Sequence, residues 1–285
     1  MSFNQGFNQN AAARFRRAPL RWVSAFAASL TAASALAGDI LIQEDFEQRR
    51  ESAFYDRLIN HEHLSVRHRE GVGRGDAICA RYVGSGEGSD RIIVTEPIAR
   101  PVDECTLSYD VKFEEGFQFV QGGRLHGVGP DNRVIGQRPE DPDAWCARIR
   151  FRWDGTLETC TSHQDQSRES GDRGERLRKF RMLPGRYYAV SLHVHLNDPD
   201  DSNGFTRLYV NGILVEERTG IRFRKVGGES SQIGFIMFNT SYGGHSKKDA
   251  PRNVDGSFKN CEALFDNIAV AEGEVIRSTP GEKPE

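Results

Sequence analysis

Three arginines two residues apart, Arg148, Arg150 and Arg152, alternate with Ala147, Ile149, Phe151 and Trp153 in the run WCARIRFRW (145–153). Successive side chains of a strand point to opposite faces, so the three guanidinium groups would share one face and the apolar residues the other. Like charges at that spacing repel one another, and a face that keeps them is suited to an anionic partner. Just upstream, FQFVQGGRLHGVGP (117–130) brings Gln121, Arg124 and His126 into a glycine-rich stretch. The run RYYAVSLHVHL (186–196) alternates in the same way, with Ser191, His193 and His195 opposite Val190, Leu192, Val194 and Leu196. Two imidazoles two apart can ligate a metal, but no third ligand stands nearby at a convincing spacing, which argues against metal chemistry. Finally, SYGGHSKK (241–248) places Tyr242, His245 and Lys247 in a glycine turn.

These residues need strands to position them, and the chain supplies strand signals throughout. Segments 40–47, 76–83, 91–96 and 104–113 read as strands, the last with Leu107, Tyr109, Val111 and Phe113 alternating with polar residues. Asp154-Gly155 and Asn211-Gly212 are hairpin signals between β-rich flanks. Residues 231–240 are nearly all apolar, as expected of a central strand, and 262–271 read as the closing strand. Residues 49–74 read as polar and irregular, 122–138 as a long loop, and 162–179 as an exposed excursion. About a dozen short strands and no amphipathic helix of ordinary length predict an all-β, two-sheet jelly roll or sandwich.

Arg14, Arg16, Arg17 and Arg21 precede an apolar run that ends in Ala35-Leu36-Ala37, the pattern of a secretory signal over residues 1–37. No second apolar run follows, so a secreted or periplasmic protein without a membrane span is expected. One domain over 38–275 and a disordered tail over 276–285 complete the expected organisation. The formal net charge of −3 argues against a nucleic-acid partner, since such binders are usually basic overall. A monomer is expected. Five cysteines in an exported chain allow up to two disulfides, with Cys105–Cys261 and Cys146–Cys160 as pairings and Cys79 left over.

The runs LSYDVKFEEGFQFVQGGRLHGV, ARIRFRWDG, RYYAVSLHVHLNDPDDSNGFTRLYVNGILVEERTGIRFR, and IGFIMFNTSYGGH with FDNIAVAEG occur in this order over residues 104–273. Together they resemble the polysaccharide lyase family 14 domain and its neighbour, the family 20 glucuronan lyases. The resemblance implies a concanavalin-like β-jelly roll whose concave face binds acidic polysaccharide and cleaves a glucuronan- or alginate-type polymer by β-elimination, with no cofactor required for the chemistry. It makes Arg124, which stands where the family usually has Lys, a candidate for neutralising the uronate carboxylate. Gln121, Arg148, Arg150, Arg152, His245 and Lys247 become candidates for substrate binding. Alginate-cleaving members usually carry a tyrosine pair after the Asp-Gly hairpin, where this chain reads LETCTSHQ. Thr159 and Thr161 cannot act as phenols, so either His126, Tyr242, His193 or His195 transfers the proton, or the domain binds glycan without cutting it. A glycoside hydrolase would need paired carboxylates, whereas these segments bear Arg and His. Jelly rolls of this kind often tie their ends together with calcium, and Asp45 and Asp266, with Glu44 or Glu47, offer oxygen ligands for a structural ion.

Overall fold

A computed structural model describes residues 38–47, 52–243 and 246–284. The first strand, β1 (Ile40–Glu44), leads to a short helix α1 (Ala53–Ile59), then to β2 (Leu64–Arg67), β3 (Ala77–Tyr82), β4 (Gly84–Ser85) and β5 (Gly88–Ser89). Next come β6 (Ile92–Val102), β7 (Glu104–Phe113), β8 (Gly122–Gly129), β9 (Cys146–Arg152), β10 (Leu157–Ser162) and β11 (Glu175–Arg176). The series ends with β12 (Tyr187–His195), β13 (Gly204–Val210), β14 (Ile213–Ile221), β15 (Ile233–Tyr242) and β16 (Cys261–Glu272).

The strands form a larger sheet in the order β11-β14-β13-β12-β7-β16-β3-β2, with β1 added along β16, and a five-stranded sheet in the order β10-β9-β8-β15-β6. All pairings are antiparallel. The two sheets meet through aromatic side chains. Phe113 of β7 packs edge-on to Phe151 of β9 with ring centroids 5.4 Å apart, and Tyr82 of β3 packs on Tyr242 of β15 at 5.4 Å. Leu107, Tyr109, Val111, Val190, Leu192 and Val194 are all fully buried between the sheets. This is the two-layer solution for strands with one apolar face each.

Alternation therefore turns two polar faces outward, one on each side of the sandwich. Arg148, Arg150 and Arg152 lie on the outer face of the five-stranded sheet, because Ile149 and Phe151 fill the interior. The Ser191, His193 and His195 row lies on the outer face of the larger sheet, because Val190 and Leu192 fill the interior.

Several expectations are corrected. Residues 122–129, read as the start of a loop, are strand β8, whose glycines let neighbours approach closely. Residues 53–59 form a helix too short to show a periodic pattern, capped by Ser52 Oγ accepting from Tyr55 N and anchored by buried Phe54 and Leu58. The excursion after β10 packs down in part: Asp172 is buried and exchanges backbone hydrogen bonds with Thr161, while residues 167–170 and 175–179 stay exposed as expected. The tail from 276, expected to be disordered, lies across the outer face of the larger sheet instead. There Arg277 is 1% exposed and ion-paired with Asp110, and Gly281 N donates to the same carboxylate.

All five cysteines are buried and free. Cys105 pairs in register with Glu272 at the end of β16, whereas Cys261 begins that strand, so the two sulfurs are held at opposite ends of one strand pair. Cys160 faces Arg148 and Cys146 faces Ser162, a two-residue offset that keeps this second pair apart.

Candidate functional site

A cavity of about 330 Å³ opens on the outer face of the five-stranded sheet, lined by Gln121, Gly122, Arg124, Gly136, Arg148, Arg150, Cys160, Ser170, Arg173, Gly243 and Asp249. Its floor is built from three adjacent strands. Arg148 of β9 lies opposite Gly127 of β8 on one side and Cys160 of β10 on the other, and Arg124 lies opposite Arg150 and Ser241. Gly127 is needed for that arrangement, since a Cβ there would sit 2.5 Å from Cγ of Arg148.

The electrostatics are lopsided. Arg148 is 2% exposed, and its Nε and Nη1 have no hydrogen-bond partner among the described residues. An uncompensated buried cation is costly, so a site that retains one is organised to receive an anion. Arg124 is only partly exposed; burial, reinforced by the charges of Arg148, Arg91 and Arg150, lowers its pKa to about 10. The remaining guanidinium groups share one carboxylate. Glu158 Oε1 lies 3.2 Å from Arg152, 3.5 Å from Arg173 and 4.0 Å from Arg150. Glu158 thus serves as the internal counter-ion that an incoming anion must compete with. Glu158→Gln should tighten binding of a polyanion by about two- to fivefold and steepen its salt dependence, read by calorimetry over a salt series. Unchanged affinity and salt slope would show that Glu158 does not compete for these cations.

Of the residues singled out in the sequence, Gln121, Arg124, Arg148 and Arg150 come together at the cavity. Arg152 sits beside it through Glu158. Lys247 is exposed, with its carbonyl accepting from Arg252. His245 lies outside the described residues, as does the leader 1–37.

The four candidate proton-transfer groups, His126, Tyr242, His193 and His195, lie elsewhere. His126 is fully buried between the sheets, against Phe238 at 4.1 Å, Phe265 at 4.4 Å and Tyr109 at 4.6 Å. Simple alternation would have turned it outward with Arg124. A β-bulge between Arg124 and Gly127 inserts an extra residue against β9, so Leu125 and His126 both point inward. Burial lowers the His126 pKa to about 3, and its Nδ1 accepts from Asn239 N. Tyr242 also points inward, stacked on Phe117, and its hydroxyl donates to the carbonyl of Gln118; burial raises its pKa far above the ordinary phenol value.

His193 and His195 lie on the other side of the sandwich. His193 Nε2 is 2.7 Å from Glu104 Oε1, and His195 Nδ1 is 3.3 Å from Glu104 Oε2. Burial lowers the His193 pKa despite that carboxylate. Asp266, near the end of the domain, accepts from Val72 N through Oδ2 and from Asn267 N through Oδ1, while Asp45 accepts from Glu47 N. Among the described residues no three His, Cys, Asp or Glu side chains are grouped as a metal ion would need them.

On β10, Thr159 and Thr161 face inward: Thr159 lies opposite Ile149 and donates through N and Oγ1 to buried Glu216. The residues that β10 presents outward are Glu158, Cys160 and Ser162, opposite Arg150, Arg148 and Cys146. Cys160, Arg173 and Asp249 were not anticipated at the site. For Cys160 the missing information was the register of the hairpin, since a slip of one residue reverses every side chain. Arg173 and Asp249 arrive on loops, for which the sequence carries no such signal.

A family model described as polysaccharide lyase 14 matches residues 88–261. No curated protein matches the chain. Among solved structures, a marine PL-14 alginate lyase from Aplysia kurodai is similar, with 19% identity and a TM-score of 0.59, covering 82% of this chain and 99% of that one. An endo-β-1,4-glucuronan lyase from the fungus Trichoderma reesei has 14% identity and a TM-score of 0.58, covering 86% and 100%. The alginate lyase Aly36B, as a mutant in complex with alginate tetrasaccharide, has 19% identity and a TM-score of 0.59, covering 70% and 82%. At these identities the structures speak to the fold, a jelly-roll sandwich.

Proposed function

We propose that this chain, which belongs to the polysaccharide lyase 14 family, binds a polyuronide of the glucuronan or alginate type at the arginine-lined cavity and cleaves it by β-elimination. The observation that carries this reading is Arg148, a buried guanidinium with unpartnered Nε and Nη1 beside a second cation, Arg124. A uronate carboxylate seated between them would make charge-assisted, fork-like hydrogen bonds. When a base removes the proton from the carbon next to that carboxylate, negative charge spreads into it as an enolate. Guanidinium groups already in place and shielded from water stabilise the enolate more than the ground state, which is what accelerates the step. The carbon–oxygen bond to the neighbouring sugar then breaks and leaves a double bond.

No helix among the described residues is long and apolar enough to cross a membrane. A polymeric substrate does not enter cells unaided, so this reading has the protein act outside the cytoplasm, after export directed by residues 1–37.

Purified protein incubated with glucuronan, alginate and other polyuronides is expected to raise the ultraviolet absorbance of an unsaturated product with at least one of them. No product from any polyuronide would remove the reading. A second reading, a glycan-binding domain without catalysis, draws on the placement of His126, Tyr242, His193 and His195 away from the cavity. Tight polyuronide binding with no product would favour it.

A further inference from the structure

Elimination needs a group that gives and takes a proton beside the bound carboxylate. Among the residues lining the cavity, two side chains other than guanidinium and hydroxyl groups can exchange a proton, Asp249 and Cys160. Asp249 spends Oδ2 on Ser246 N, 3.0 Å away, which holds the turn. Cys160 makes a single hydrogen bond. Its thiol donates only to the carbonyl of Ser170, at 3.3 Å, a weak contact for sulfur.

Cys160 is also placed where the anion would lie. It is the direct cross-strand neighbour of Arg148, the buried guanidinium with unpartnered nitrogens, and both line the same cavity. Arg124 lines it too. Gly171 lets the covering segment come close, since a Cβ there would sit 3.0 Å from Sγ. The other four cysteines do not line the cavity.

We propose that Cys160 is the proton-transfer residue of this cavity, acting on the sugar whose carboxylate Arg124 and Arg148 hold; the inference rests on the polyuronide-elimination reading. The Cys160 thiolate takes the proton from the carbon next to the carboxylate. The electron pair of that carbon–hydrogen bond becomes the new carbon–carbon double bond as the bond to the glycosidic oxygen breaks. The leaving oxygen departs with the neighbouring sugar and receives the proton back from the thiol. The thiolate is regenerated and no other reactant is consumed.

The test compares wild type, Cys160→Ser and Cys160→Ala on the polyuronide that wild type cleaves. Both variants are expected to lose about 10²- to 10³-fold in kcat while KM stays within about threefold. Serine keeps the shape of cysteine but its hydroxyl does not ionise in the working range, so a purely structural role would be rescued by serine and proton transfer would not. Iodoacetate on the wild-type protein gives a second measurement that does not depend on a variant folding. Carboxymethylation of Cys160 is expected to abolish turnover, and saturating oligouronate to slow the labelling. Turnover within threefold of wild type in Cys160→Ser, or in protein carboxymethylated at Cys160, would overturn the proposal while leaving the lyase reading intact. Absence of product from wild type on every polyuronide would remove both.

Discussion

Replacing Arg148 by methionine is expected to lower kcat/KM toward a polyuronide by about 10²- to 10³-fold, and at the same time to leave the melting temperature unchanged or raised. The two halves come from one fact. Arg148 is 2% exposed and has no acid partner among the described residues, so in the free protein its charge is a liability. Methionine has a similar length and no charge to bury, and replacing buried ions with well-packed apolar residues is often neutral or stabilising. With substrate bound, the same guanidinium becomes the desolvated partner of a carboxylate, where loss of one member typically costs about 2–5 kcal/mol. Kinetics from product absorbance, together with a thermal melt, check both halves. A melting temperature that drops by ten degrees with binding retained would mean that Arg148 is a structural cation and the cavity is not the anion site.

The second large effect concerns stability against pH. His126 is fully buried, and burial holds its pKa at about 3 against the ordinary 6.5. Between those values the unfolded chain binds a proton that the folded chain refuses. The contribution to stability is therefore complete above pH 6.5 and is lost as pH falls toward 3, by about 1.4 kcal/mol per pH unit and about 5 kcal/mol in all. Asp266 works the other way: burial raises it from 3.8 to about 7, so its contribution is present below 3.8 and lost as pH rises through 7. The readable quantity is therefore the difference between wild type and His126→Gln, a variant that keeps an acceptor for Asn239 N and cannot take the proton. Denaturant unfolding from pH 7 to pH 4 should show the wild type losing about 3 kcal/mol relative to the variant. Parallel curves would show that His126 is not held neutral in the core. Such a result would reopen its sequence-level candidacy as a catalytic base.

That candidacy shows where the sequence could be read and where it could not. The alternation of ARIRFR with its apolar partners was legible, and the structure keeps it: Arg148, Arg150 and Arg152 share a face and Ile149 and Phe151 the core. The hairpins were legible too, because Asn211 and Gly212 both adopt positive φ, at 49° and 71°, as a tight antiparallel turn requires. The alternation of SLHVHL was read correctly as a polar row, but its meaning was not. A strand pattern tells which side chains share a face of that strand, without telling which side of the sandwich the face becomes. The imidazoles of His193 and His195 therefore stand back to back with the arginines, with two sheets between them.

By itself, then, the sequence determined the all-β class, the strand faces and the cationic row, since these follow from period-two alternation and from turn chemistry local to a few residues. The tertiary structure alone decided the site. The bulge at Arg124–Gly127 turned His126 into the core, the register of β9 with β10 brought Cys160 outward beside Arg148, and packing of the sheets sent the histidine row to the far surface. The first two depend on pairing between strands, where a one-residue change moves a side chain from one face of a sheet to the other, and the third on how the two sheets pack against each other.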